Sequence, residues 1–157
     1  MQIELDQPLR AIVHTEHGDI AIELLPSIAP IAVNNFVFLV REGFYEDTTF
    51  HRVVAGFIAQ AGDPGGSGRG GPGYRFPDEI SETAIVRGTV GMANGGPNTN
   101  GSQFFIALRD SPQLNGRYSV LGRVIEGIEV ADALAPRDPA VDSDPGDHID
   151  SIEIVSS

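Results

Sequence analysis

Nineteen glycines and eleven prolines are scattered through 157 residues, and they cut the apolar content of the chain into short runs. Short apolar runs bounded by turn formers suit β-strands, whereas a helix needs a longer uninterrupted stretch with a 3.6-residue period. Pro26 to Gly43 reads as the one long helix. Pro30 suits its first turn, where a missing N–H goes unnoticed. Val33, Phe36, Val37 and Val40 follow at i, i+3, i+4 and i+7, a stripe that faces a core. Gly43 is placed to end the helix as a left-handed C′ residue. Phe36 and Phe38 read as packing residues.

Around that helix the pattern alternates as strands do. Arg10–Thr15 and Asp19–Leu24 form an expected hairpin about the turn His17-Gly18-Asp19. Two short strands are expected between Thr48 and Asp63, broken near Ala55-Gly56. Residues 64–73, with six glycines and two prolines, are a Gly-rich loop. Further strands are expected at Gly88–Ala93, Gln103–Leu108, Tyr118–Val124 and Ile149–Val155. A short helix is expected at Gly127–Ala135, and the Pro/Asp segment 136–148 is a loop. Many strands with two helices suggest a β-barrel or sandwich with helical caps, in one domain spanning 1–157 after a leader of residues 1–8.

Composition narrows the function classes. Twenty-two acids face ten arginines and no lysine, a formal charge of −12. A field of that sign repels phosphate backbones, which argues against nucleic acid and anionic membranes as partners. The absence of cysteine removes disulfides, thiolate zinc sites and thiol nucleophiles. The opening Met1-Gln2-Ile3-Glu4-Leu5-Asp6 lacks the basic and apolar regions of a signal peptide, so the expected compartment is the cytoplasm.

Several motifs fail on inspection. The Gly-rich loop has no lysine to make a P-loop, and it leads into Tyr74-Arg75-Phe76 with no helix opening on the glycines. His14 and His17 flank an expected turn between strands with no acidic ligand evident beside them, so no metal site is expected. The aspartates of 138–150 miss the EF-hand pattern, since position five counted from Asp142 is Gly146. The G-x-S-x-G elbow of serine hydrolases is absent, because Gly65-Gly66-Ser67-Gly68 is followed by Arg69.

Two segments resist a purely structural account. One is Phe50-His51-Arg52-Val53-Val54-Ala55-Gly56-Phe57-Ile58-Ala59-Gln60-Ala61-Gly62-Asp63. The other is Gly91-Met92-Ala93-Asn94-Gly95-Gly96-Pro97-Asn98-Thr99-Asn100-Gly101-Ser102-Gln103-Phe104-Phe105-Ile106. Both interleave polar side chains with aromatics, and together they resemble the two signature stretches of the cyclophilin family of peptidyl-prolyl cis–trans isomerases. The similarity extends over about residues 9 to 155 in the family's order of elements.

The resemblance implies a mainly β fold: a closed, eight-stranded antiparallel barrel capped by two helices. It implies rotation of X–Pro bonds in folding proteins, with Arg52 as the catalytic donor. Phe57, Ile58, Phe105 and Leu114 match the family's proline pocket, with Met92 beside it. Gln60 and Gln103 match polar residues that orient Arg52 or bond the peptide. Asn94 matches a backbone contact to substrate, Ala93 and Gly95 flank it, and Tyr118 stands where many eukaryotic members have His. His51 is read as support for Arg52 rather than as a base. The loop with Arg69 and Tyr74 resembles the variable loop beside a neighbouring subsite. Implied partners are proline-containing peptides and cyclosporin A, the latter weakened because Gln113 replaces a Trp. No cofactor or metal is implied, and a monomer is expected.

Those residue types suit the chemistry. Rotation about a peptide bond faces a barrier of about 18–20 kcal/mol set by amide resonance. Lowering it takes a fixed donor for the twisted amide nitrogen and a pocket for the ring, and Arg stays charged at any working pH. An alternative class is a proline-binding module with incidental activity. Retention of Arg52 with Phe57, Gln60, Phe105 and Leu114 favours the enzyme.

Overall fold

A computed structural model describes residues 8–66 and 70–156. The expected leader 1–8, apart from Pro8, and Arg69 of the Gly-rich loop lie outside the described residues.

Eight strands make one antiparallel sheet: β1 Leu9–Thr15, β2 Gly18–Leu24, β3 Arg52–Val54, β4 Ile58–Ala61, β5 Thr89–Met92, β6 Phe104–Ala107, β7 Val120–Glu126 and β8 Ile149–Ser156. Their spatial order is β3-β4-β6-β5-β7-β2-β1-β8. The sheet curls, but it is not closed by a continuous ladder as expected. Among the described residues, isolated bridges Thr49–His148 and Val53–Arg137 join its ends. Arg137 exchanges both backbone hydrogen bonds with Val53 (2.9 and 3.0 Å), and its Nη1 donates to His51 O at 2.8 Å. The edge strand carrying Arg52 is thereby held on both sides of that residue.

Helix α1 spans Pro30–Arg41, four residues shorter at its start than expected. Pro30 is the reason: it forces Ala29 out of the helical region, to φ −139° and ψ 73°. With no capping side chain at Ala29, Glu79 reaches over from a distant loop, accepting from Ile31 N–H (2.9 Å) and Ala32 N–H (2.7 Å). The far end stops as expected. Gly43 takes φ +73°, its N–H donates to Val40 O, and Phe44 N–H donates back to Leu39 O. Val33, Phe36, Val37 and Val40 are all buried, but Phe38 is 37% exposed and is not a core residue. Helix α2, Ile128–Asp132, is a single short turn-and-a-half against β2. A 3₁₀ turn at Pro112–Leu114 was not expected from the pattern. No helix of the described residues is long and apolar enough to cross a membrane.

Alternation along the strands sorts the apolar residues into two clusters. The larger fills the inside of the curled sheet under α1, where Phe36 meets Phe104 edge-on at 5.6 Å and Tyr45 donates to Ser102 O. The smaller comprises Ile58, Ile85, Phe105, Ala107 and Val120 on the opposite face, with Phe57, Ala93, Leu114 and Tyr118 packed against it. Phe104 and Phe105 are adjacent in β6 yet belong to different clusters, as the two-residue period requires.

Candidate active site

The strand register assembles the site. Arg52 pairs with Gln60, Gln60 with Phe105, and Phe105 with Gly91, so these four residues form one row across β3, β4, β6 and β5. Neighbouring strands lie about 4.8 Å apart, which sets Arg52 about 10 Å from Phe105 with Gln60 between them. The row stands on the outer face, over the smaller cluster.

A cavity of about 270 Å³ opens there. Arg52, Phe57, Ile58, Gln60 and Phe105 line it from the strands, Ala93 and Asn94 from the loop after β5, and Leu114 and Tyr118 from the segment around the 3₁₀ turn. A larger cavity, about 480 Å³, adjoins it across Gln60, Ala93 and Asn94. Gly95 and Gln103 line this second space, together with residues 70–75 of the Gly-rich loop. Met92 lines neither cavity. One residue beyond Gly91, it points to the inner face, where it is wholly buried in the main core. The expectation of Met92 beside the proline pocket is therefore corrected.

Polar contacts fix the row. Gln60 Nε2 donates to Gln103 Oε1 at 2.9 Å, and Gln103 Nε2 donates to Gly70 O at 2.9 Å. Gln60 Oε1 is left as an acceptor on the strand that pairs with Arg52. Arg52 is partly buried and has no carboxylate partner among the described residues. Its guanidinium is not spent on a salt bridge. Asn94 Oδ1 accepts from Gly96 N–H at 3.2 Å, while its Nδ2 is buried without a partner among the described residues. Tyr118 packs edge-on against Phe105, centroids 5.3 Å apart at 77°. His51 is fully buried and lines neither cavity. Burial lowers its pKa from the ordinary 6.5, against the opposing pull of Asp63 and Gln103, which favours the neutral ring.

Sequence reasoning missed Gly91. A Cβ there would lie 2.7 Å from Phe105 Cζ, so only glycine lets the ring lie across β5. A glycine inside an expected strand was the available signal. Arg109 was missed as well: its guanidinium carbon lies 4.9 Å from the centroid of Phe57. No periodicity marks that position.

The expectation that His14 and His17 lack acidic neighbours is also corrected. His14 Nδ1 lies 2.8 Å from Asp19 and its Nε2 3.4 Å from Glu153, which together raise its pKa. His17 Nε2 lies 3.0 Å from Asp147, and Glu16 completes a group whose ligand atoms lie within 4.8 Å of one another.

The family model for cyclophilin type peptidyl-prolyl cis-trans isomerases (CLD) matches residues 10–156. The chain belongs to this family. A peptidyl-prolyl cis-trans isomerase of Helicobacter pylori is 42% identical over 158 residues, covering 98% of this chain and 91% of that protein. The crystal structure of a cyclophilin type isomerase from Cryptosporidium parvum superposes with a TM-score of 0.86 at 41% identity, covering 96% of this chain and 98% of that one. A second structure of the parasite cyclophilin, determined in the presence of the dipeptide Ala-Pro, gives 0.85 at 40% identity, covering 96% and 100%. The curled sheet with its two helices is thus a cyclophilin fold, and the outer-face row lies on it.

Proposed function

We propose that this cyclophilin isomerises X–Pro bonds of folding proteins in the cytoplasm, with Arg52 as the donor that stabilises the twisted amide. The register row carries the reading. It aligns a guanidinium with no carboxylate partner among the described residues, an amide and an aromatic wall over an apolar floor, and nothing in core packing calls for Arg52 and Gln60 there. A proline ring fits against Phe57, Ile58, Phe105 and Leu114. As the amide twists, its nitrogen regains a lone pair, which Arg52 meets with an N–H. That interaction exists only at the top of the barrier, so it speeds rotation without tightening ground-state binding. One such donor is worth about 2.7–4 kcal/mol of the roughly 18–20 kcal/mol barrier. The reaction calls for no nucleophile, metal or cofactor. Asn94 bonds the peptide backbone where the two cavities meet, Gln103 bonds it in the larger cavity, and Gly95 leaves room beside it. The Ala-Pro dipeptide used with the parasite relative supports a proline-containing ligand. Gln113 is exposed, next in sequence to the cavity residue Leu114, and offers no indole, which supports weak cyclosporin A binding.

The test is isomerisation of a short Ala–Pro peptide at about 10 °C, where spontaneous exchange takes minutes. Concentration-dependent acceleration is expected. Binding without acceleration would make the chain a proline-recognition module instead.

A further inference from the structure

The proposed peptide groove differs in charge from the rest of the molecule. The chain carries 22 acids and ten arginines. Yet among the described residues lining the two cavities not one is Asp or Glu, and two are Arg52 and Arg75. A third cation, Arg109, stands over the wall of the smaller cavity through its contact with Phe57. Arg75 and Arg109 are exposed, and neither has a carboxylate partner among the described residues.

The neighbouring acids line neither cavity and are held in place by hydrogen bonds from neutral groups, which leave their charge intact. Asp110 follows Arg109 but accepts from Arg87 N–H at 3.0 Å. Glu79 caps α1, and Asp78 accepts from Asn98 N–H and Asn100 Nδ2. Asp63 is buried and accepts from Gly65 N–H. Arg87 and Arg123, by contrast, are neutralised by Asp132 and Glu23. Guanidinium groups with no carboxylate partner among the described residues thus stand at both cavities of an otherwise acidic protein.

Resting on the isomerase reading of this site, we infer that the groove selects proline segments with an acidic side chain within about two residues of the X–Pro bond. Arg109 and Arg75 are the selecting residues, one at each cavity. An extended chain advances about 3.3 Å per residue, so a residue two positions from proline lies about 7 Å away, within reach of an arginine at either cavity. The net charge of −12 opposes an acidic peptide at long range. At about 0.1 M salt, however, the Debye length is about 10 Å, and arginines but no acids line the cavities, so a bound peptide meets the guanidinium groups at shorter range than the acids behind them.

Three Ala–Pro peptides test this, carrying Glu, Ala or Lys two residues before and after the bond. Both kcat/KM and peptide affinity are measured. At about 0.1 M salt the Glu peptide is expected to exceed the Lys peptide by about 5- to 20-fold, a ratio that falls toward one at about 1 M. The Arg75→Gln/Arg109→Gln double variant is expected to lower the ratio to about two or less, and the Arg75→Glu/Arg109→Glu variant to invert it. Equal or reversed preference in the wild type overturns the inference, and an undiminished ratio in the Gln variant removes these two residues from it. If no peptide is accelerated, the isomerase reading fails, and the three affinities still decide the charge preference.

Discussion

Gly91→Ala is the substitution whose consequence follows most directly from the packing. The new methyl carbon would lie 2.7 Å from Cζ and 2.8 Å from Cε1 of Phe105, and 3.4 Å from Ser119 O. Carbon atoms settle at about 3.5–4.0 Å, so the ring must retreat by about 1 Å. Tyr118, edge-on at 5.3 Å, blocks part of that movement. Overpacking of this kind costs about 1–3 kcal/mol, read as a fall in the urea midpoint at unchanged slope. Phe105 is also a wall of the smaller cavity, and a misplacement of about 1 Å at a site lowers rates by up to about 10²-fold. The variant should therefore lose about 10- to 100-fold in kcat/KM on an Ala–Pro peptide. Adding Phe105→Leu should return part of the stability by relieving the clash, without returning activity. A Gly91→Ala protein with the wild-type midpoint and near-wild-type kcat/KM would refute the reasoning.

Two further outcomes follow from the framework of the site. Glu79→Ala should destabilise by about 1–2 kcal/mol in urea unfolding, because α1 then has no acceptor for its first N–H groups. His51, whose folded pKa is below the ordinary 6.5, should make stability fall as pH drops from 6.5 toward that lower value, because the unfolded chain takes up the proton first. His51→Gln should flatten that limb when urea midpoints are compared down to about pH 5, with a wild-type slope of at most about 1.4 kcal/mol per pH unit from this group. The raised pKa of His14 acts in the opposite sense, its stabilisation being lost as pH rises, and it cancels in the comparison of the two proteins.

Much of the fold was readable along the chain because its signals are local. The period-two runs placed the strands within a few residues, and Gly43 marked the end of α1 through its need for positive φ. What failed was decided across the chain. Pro30 restrains Ala29 locally, but the cap that secures the start of α1 comes from Glu79, 47 and 48 residues away. Closure of the barrel hinged on whether β3 and β8 reach each other, which no run of residues states. The site shows the same division. Family motifs named its members, but they do not say which face a strand residue takes. Met92 and Gly91 are neighbours in sequence, and the register sends one into the core and the other under Phe105.

The most direct measurement compares wild type with Arg52→Ala by kcat/KM for an Ala–Pro peptide and by affinity for the same peptide. Arg52 makes no ion pair among the described residues, so the fold should survive its loss. The account predicts a fall of about 10²–10³ in kcat/KM, with affinity changed far less, because the donor acts on the twisted amide. Full activity in the folded Arg52→Ala protein would contradict it.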